Sequence, residues 1–259
     1  MDDVIWDLRV DSAVKLIKEG KRIDGRALDE YRKIDIQNHI SETAEGSAIV
    51  NLGKTRIVAG TKMILGTPYP DSQDQGTISV GAELFPIASP SFEFGPPKAA
   101  AIELSRVIDR GIRESKSIDF KDLCITEGEQ VWIVFVDLYT MNDDGNFFDA
   151  GSIAALSAML ETKIPKVEDG KIVKKEYSGK LKLSKKPLLC TFAKIANKIV
   201  IDPTLVEEKA QDARFSVSTA DDKHLCAFQK GEQGSFTRSE IDECIEIAFK
   251  RGKEIRKTL

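Results

Sequence analysis

Three arginines between residues 106 and 113 have the side chains and the spacing best suited to chemistry in this sequence. On a helix, Arg106, Arg110 and Arg113 fall within a wedge of about 60° that faces away from the apolar positions. Guanidinium groups match phosphate oxygens and stack on bases, so single-stranded RNA is a sensible ligand for this stripe. Ion pairs inside the helix, Glu103 with Arg106 and Arg110 with Glu114, would instead make it ordinary solvated surface.

The small residues of Asp149-Ala150-Gly151-Ser152 are a candidate anion site. At the start of a helix, free backbone amides and the helix dipole both favour negative charge, so Gly151 and Ser152 could hold phosphate. Close packing of a helix on a sheet, with Asp149 or Ser152 as the helix N-cap, explains the same residues equally well.

Carboxylates follow an apolar run near residue 200, and such groups serve in metal binding or acid–base chemistry. They are Asp202, Glu207, Glu208 and Asp212. Their spacing fits a solvated loop as well. The two histidines, His39 and His224, have no serine or cysteine arrangement that marks either as a base, so neither is predicted to be catalytic. We predict no bound metal and no cofactor.

Charge and composition limit the class of protein. The 259 residues carry a net charge of −4, which is unusual for an autonomous nucleic-acid binder, so any RNA contact must be local or shared with a partner. The scattered cysteines are typical of free thiols in a reducing compartment rather than of a zinc site. The sequence shows neither a signal peptide nor an apolar run long enough to cross a membrane, which predicts a cytoplasmic protein.

Hydrophobic periodicity predicts an α+β protein built from two similar β-rich parts that are backed by helices. Helices are predicted over residues 8–20, 98–118, 149–163 and 239–259, the second of them opened by Pro96-Pro97. Strands are predicted within residues 46–65, 77–89, 124–141, 186–204 and 213–236, the first of these regions turning at Gly53-Lys54. The charged stretch 166–186 is predicted to be either a boundary or an exposed hairpin.

Five segments occur in the order typical of the ribonuclease PH family. They are RIDGR (22–26), GSAIVNLG (46–53), FGPPKAAAIELSRVIDRGIRES (94–115), DDGNFFDAGSIAAL (143–156) and VIDPT (200–204). The match spans nearly the whole chain, which most resembles the non-catalytic ribonuclease PH-like subunit of the archaeal exosome. The resemblance implies the ribonuclease PH fold, with two ribosomal-protein-S5-domain-2-like βαβ halves. They would lie at residues 30–165 and 186–259, after an N-terminal helix and lead-in at residues 1–29.

The same resemblance implies a phosphate-dependent 3′-to-5′ exoribonuclease complex in which this chain is not the catalyst. Three heterodimers with a catalytic ribonuclease PH-like subunit would form a six-membered ring that carries RNA-binding cap proteins. Arg106 and Arg110 match arginines that face single-stranded RNA in such rings, and Arg113 joins them by its helical position. The chain would complete the active site of the catalytic subunit from across their interface.

Two positions depart from the pattern of catalytic family members. In those members, an arginine that holds phosphate comes directly after the small Gly-Ser or Gly-Thr element. Here Gly151-Ser152 is followed by Ile153, so the resemblance implies only a relic phosphate pocket at Gly151 and Ser152. They also place a carboxylate where this chain has Arg214, in the corner Asp212-Ala213-Arg214. One alternative is an S5-like RNA-binding protein outside RNA decay. The other is an active phosphorolytic 3′-to-5′ exoribonuclease that takes its carboxylate from Asp202, Glu208 or Asp212.

Overall fold

Alternating apolar residues in the first part of the chain form a mixed β-sheet. The computed structural model describes the backbone of residues 2–259 and the side chains of residues 5–259. The predicted turn at Gly53 is confirmed, and its φ of 58° lies in the left-handed region that a two-residue hairpin loop requires. The strand order is β1-β2-β3-β6-β4, with β5 paired to β6: β1 Ile34–Asn38, β2 Gly46–Leu52, β3 Thr55–Gly66, β4 Thr77–Leu84, β5 Cys124–Thr126 and β6 Gln130–Asn142.

A second, antiparallel sheet and a separate hairpin follow. The sheet has the order β10-β9-β11-β12, with β9 Leu188–Ile195, β10 Lys198–Ile201, β11 Ala213–Thr219 and β12 Leu225–Gly231. The hairpin consists of β7 (Lys163–Glu168) and β8 (Lys171–Lys180). Of the two structures predicted for the charged stretch 166–186, the exposed hairpin is therefore the one that forms.

Two helices, α2 (Ala99–Glu114) and α3 (Phe147–Glu161), lie between the two sheets. α2 joins the parallel strands β4 and β6 in a βαβ unit. α3 contacts β2 and β3 on one side and β9 on the other, and all its residues from 148 to 159 are buried. A helix enclosed on both sides has to be apolar nearly all round, which explains its small and mostly uncharged residues.

The second sheet is covered on its outer face by α5 (Arg238–Arg256). Successive side chains of β9 point to opposite faces. Phe192 packs with Cys244 and Ala248 of α5, whereas Leu189 belongs to the core shared with α3. Among the helices of residues 2–259, none has both the length and the apolar character needed to cross a bilayer. All four cysteines are free thiols, as predicted: Cys124, Cys190, Cys226 and Cys244.

Several predicted helix boundaries and one predicted loop differ from the structure. α2 begins at Ala99, after an extended Lys98, so Pro96 and Pro97 precede the helix instead of forming its first turn. α1 (Asp2–Lys18) begins six residues before the predicted start at residue 8 and ends two residues before the predicted end at residue 20. The segment after β10 contains a short helix, α4 (Leu205–Ala210), where a solvated loop was one expectation. A capping box between Thr204 and Glu207 starts α4.

Candidate nucleic-acid interface

The predicted arginine stripe lines an open groove between α2 and β4. α2 turns its apolar side into the core, which leaves Arg106 and Arg110 exposed on the opposite side. Both line a groove of about 370 Å³ together with Arg113 and residues 78–80 of β4. The structure therefore brings the three arginines together on one surface.

Within residues 2–259, the two ion pairs that would make the stripe ordinary surface do not form. Glu103 pairs with Arg214 of β11 instead of Arg106. Neither Arg106 nor Glu114 has an oppositely charged group within 4.0 Å among the described residues. Arg110 makes a 3.4 Å bond from Nη1 to Oε1 of Gln229. The guanidinium groups of Arg106 and Arg110 thus keep most of their donors for an anion.

Arg113 is held differently from the other two arginines. Its Nε and Nη2 donate to the two carboxylate oxygens of Asp109 at 3.1 and 2.9 Å, and Nη2 also donates to the carbonyl oxygen of Ile78 at 2.7 Å. The guanidinium lies 5.6 Å from the ring centroid of Phe120. These contacts fix Arg113 in the wall of the groove and leave it fewer free donors than Arg106 or Arg110.

The corner Asp212-Ala213-Arg214 joins the two halves of the fold. The guanidinium of Arg214 pairs with the carboxylate of Glu103 on α2 and lies 4.3 Å from the ring centroid of Phe148. Asp212 uses Oδ2 to accept a 3.1 Å bond from the backbone amide of Ala196. Sequence reasoning did not identify Glu103 as the partner of Arg214, because no local pattern relates residues 111 positions apart.

Two of the four predicted carboxylates are neutralised by buried arginines. Asp202 accepts bonds from Nε and Nη2 of Arg32 at 2.9 and 2.7 Å, and from Nη1 of Arg26 at 3.0 Å. Glu207 accepts a 2.8 Å bond from Nε of Arg22. Both carboxylates are buried. Carboxylates held in this way balance buried positive charge and are not available to a substrate.

Two carboxylates that line a cavity between α2, α3 and α4 have raised pKa values. Asp143 and Glu208 line it beside Arg214, and Glu208 accepts a 2.7 Å bond from the backbone amide of Asn146. Burial raises the pKa of Glu208 to about 7. Burial also raises the pKa of Asp149 in α3 to about 6, although Tyr31 donates a 2.6 Å hydrogen bond to its carboxylate.

We expect Glu208→Gln to change the pH dependence of stability. A raised carboxyl pKa contributes stability that is fully present below the unfolded value of 4.5 and is lost as the pH rises through about 7. Glutamine keeps the Oε1 acceptor and removes this titration. Because the side chain is partly exposed, the stability of the variant relative to the wild type should rise by about 1–2 kcal/mol between pH 4.5 and 7.5.

Urea unfolding midpoints at the two pH values measure this effect. The matched control is Glu246→Gln, because Glu246 is exposed and has no cation within 4.0 Å in the described chain. Its stability difference from the wild type should not depend on pH. If the stability difference between Glu208→Gln and the wild type did not depend on pH, folding would not raise the pKa of Glu208.

The structure places Gly151 and Ser152 inside α3 and not at its start. α3 begins at Phe147, and its N-cap is Asn146, whose side chain accepts from the amide of Asp149. The predicted position at the helix start, and the predicted caps, are therefore wrong. A Cβ on Gly151 would lie 2.9 Å from Cδ1 of Ile108, so this glycine permits close packing of α3 on α2.

Ser152 likewise has an internal partner, since its hydroxyl accepts a 3.1 Å bond from the backbone amide of Leu189. The amides of the second helical turn bond within the helix. The relic phosphate pocket at Gly151 and Ser152 stays a prediction. In the described chain, these two residues lie in the second turn of α3 and do not offer the free amides of a helix start.

The remaining candidates do not converge on a reactive centre. His39 lies 3.0 Å from Glu161, and His224 lies 2.8 Å from Asp221, both at the surface. Within the described chain, no three His, Cys, Asp or Glu side chains come together as a possible metal site. The arginine groove is therefore the best candidate for ligand binding.

Two family profiles match this chain. One is described as the 3′ exoribonuclease family, domain 1, and covers residues 30–165; the other is domain 2 of the same family and covers residues 186–251. Exosome complex component Rrp42 of Thermococcus gammatolerans is 47% identical over 261 residues, which cover 99% of this chain and 96% of that protein. Rrp42 of Methanothermobacter thermautotrophicus is 45% identical over 252 residues, which cover 96% and 93%.

Solved structures show the same similarity. A chain of the Archaeoglobus fulgidus exosome with RNA bound to the active site superposes with a TM-score of 0.92 at 40% identity, covering 98% of this chain and 99% of that one. A chain of an archaeal exosome core gives a TM-score of 0.89 at 36% identity and covers 99% and 98%.

Proposed function

Because this chain belongs to the 3′ exoribonuclease family, also called the ribonuclease PH family, we propose that it is an exosome subunit that holds RNA for a catalytic partner. The α+β ribonuclease PH fold predicted from the ordered motifs is confirmed. The complex to which such subunits belong degrades RNA from the 3′ end with inorganic phosphate. This chain contributes structure and RNA contacts to it, and the partner contributes catalysis.

The observation that carries the proposal is the pair Arg106 and Arg110 in the groove beside β4. Both guanidinium groups are exposed, and in the described chain no carboxylate lies within 4.0 Å of either. Unpaired arginines that share a groove are suited to bind successive phosphates of a single strand. They also give an acidic chain the local positive charge that RNA binding requires.

The assignment of a non-catalytic role rests on two departures from the catalytic pattern. Arg214 occupies the place of a carboxylate and is paired with Glu103, so it supplies neither an acid nor a metal ligand. Ile153 occupies the place of a phosphate-holding arginine and is fully buried in α3. Neither side chain has chemistry that would activate phosphate for attack on RNA.

The proposed partners follow from the same family membership. They are a catalytic ribonuclease PH-like subunit, arranged with this chain as three heterodimers in a hexameric ring, and RNA-binding cap proteins, all in the cytoplasm. Large apolar side chains left exposed by the isolated chain support burial against a partner. Ile87 and Phe94, in the connection from β4 to α2, are 71% and 84% exposed.

A phosphorolysis assay tests the division of labour. Purified chain, alone and together with the catalytic subunit, is incubated with single-stranded RNA and inorganic phosphate, and nucleoside diphosphates are measured. We expect release only when the catalytic subunit is present. Release by this chain alone would identify it as an active phosphorolytic exoribonuclease. Failure to bind the catalytic subunit, with RNA binding retained, would favour an RNA-binding protein outside RNA decay.

A further inference from the structure

We infer that the lysine-rich segment 163–186, comprising the hairpin β7–β8 and the loop after it, is a second binding surface for single-stranded RNA. The inference rests on the proposed function for its choice of ligand. The segment contains nine lysines and three carboxylates, a net charge of +6. Since the whole chain carries −4, the other residues together carry −10. Positive charge is therefore concentrated in a short segment of an acidic protein, where it creates a local attraction for a polyanion.

Most of this charge is free to bind. Lys166 is paired with Glu168 and Glu176, and Lys180 is paired with Glu161. Five other lysines of the segment are exposed and have no carboxylate within 4.0 Å among residues 2–259: Lys163, Lys171, Lys174, Lys175 and Lys182. Nine of the ten residues of β8 are exposed, so both faces of this strand are open to a ligand, whereas β7 is partly buried.

The hairpin also offers an aromatic surface. Tyr177 is 43% exposed, and Nζ of Lys163 lies 5.3 Å from its ring centroid. An accessible aromatic ring with neighbouring cations is the combination on which proteins stack the bases of a single strand. A protein partner would require an apolar centre for its interface. Between residues 163 and 186, only two large hydrophobic side chains are exposed, Ile172 and Tyr177, at 38% and 43%. The segment therefore has no apolar centre of that kind, which favours RNA as its ligand.

The position of the segment connects it with the arginine groove. The backbone amide of Ser184 donates to the carbonyl oxygen of Ser117 at 2.8 Å, and the Ser184 hydroxyl donates to the carbonyl oxygen of Lys116 at 2.9 Å. Lys116 and Ser117 directly follow α2, whose last turn carries Arg113. An RNA strand that leaves the groove past the end of α2 therefore meets the base of the lysine segment.

The experiment is a salt titration of RNA binding to the full chain, followed by the fluorescence anisotropy of a labelled single-stranded RNA. Each phosphate contact with a single strand adds about 0.7 to the slope of log K against log salt concentration. The variant Lys171→Ala, Lys174→Ala, Lys182→Ala should lower this slope by about 2. The same three positions changed to arginine should keep it, because the charge is unchanged.

The matched control changes three exposed lysines elsewhere that also have no carboxylate within 4.0 Å in the described chain: Lys33, Lys54 and Lys198. Their replacement by alanine alters the net charge equally and should leave the slope unchanged. An unchanged slope in the hairpin variant, or an equal fall in the control, would overturn the inference. Failure of the proposed function can be distinguished from failure of this inference. If the proposed function were wrong, the variant Arg106→Ala, Arg110→Ala would also bind RNA as the wild type does.

Discussion

Replacing Asp202 by alanine should lower the free energy of unfolding by about 3–5 kcal/mol, because the change leaves buried arginines without their counter-ion. Asp202 is 0% exposed, and its carboxylate accepts from Arg32 at 2.7 and 2.9 Å and from Arg26 at 3.0 Å. It also accepts a 2.8 Å bond from the side chain of Asn146. Residue 202 has a φ of 48°, which costs alanine roughly 1 kcal/mol.

Urea unfolding of the isolated chain measures this loss, with an m-value that should stay unchanged. Asp202→Asn keeps the side-chain size and tolerates the left-handed backbone, so its stability should lie between those of the wild type and the alanine variant. Asp242→Ala is the control, since Asp242 pairs with exposed Arg238 and should lose less than about 0.5 kcal/mol. If Asp202→Ala lost no more than Asp242→Ala, the buried cluster would not be a stabilising centre.

The double variant Arg106→Ala, Arg110→Ala should bind single-stranded RNA about a hundredfold more weakly. A hydrogen bond to a charged group is worth roughly 1.5 kcal/mol, and two such contacts amount to about two powers of ten in affinity. The slope of log K against log salt should fall by about 1.4. RNA degradation by the complex with the catalytic subunit should slow, while the complex stays assembled.

The control is Arg9→Ala with Arg238→Ala, which removes two exposed arginines from α1 and α5. It should leave both the affinity and the salt slope unaltered. Size-exclusion chromatography of each variant with the catalytic subunit separates a loss of RNA binding from a loss of assembly. Equal RNA binding by the groove variant and the wild type would show that Arg106 and Arg110 are ordinary surface charges that do not contact RNA.

Features that depend on neighbouring residues could be predicted from the sequence. The apolar spacing of α2 sets its buried face, and this face puts Arg106 and Arg110 on the outside. The hairpin at Gly53 follows from a glycine between two β-branched runs. Helix boundaries were less predictable. α3 starts at Phe147 because Asn146 adopts a left-handed conformation and caps the helix, whereas the sequence pattern placed the start at Asp149.

Features that depend on distant residues could not be predicted. Pairing of Glu103 with Arg106 inside α2 was one of two alternatives, and the structure pairs Glu103 with Arg214. Asp202 and Glu207 were candidates for catalysis or metal binding, and in the structure they balance the buried Arg32 and Arg22. The raised pKa of Glu208 likewise arises from protein packed around its carboxylate.

The sequence alone determined the family, the order of the elements, the outward direction of the arginine stripe and the charge of segment 163–186. The family follows from the resemblance of five ordered motifs, whereas the other properties follow from composition and from periodicities of a few residues, which the backbone geometry of helices and strands converts directly into faces. The tertiary structure alone decided which charged groups are free. Arg113 is bound to the carbonyl oxygen of Ile78 because folding brings β4 beside the end of α2, whereas Arg106 is open. The ion pair between residues 32 and 202 likewise exists only in the folded chain, since the two residues are 170 positions apart in sequence.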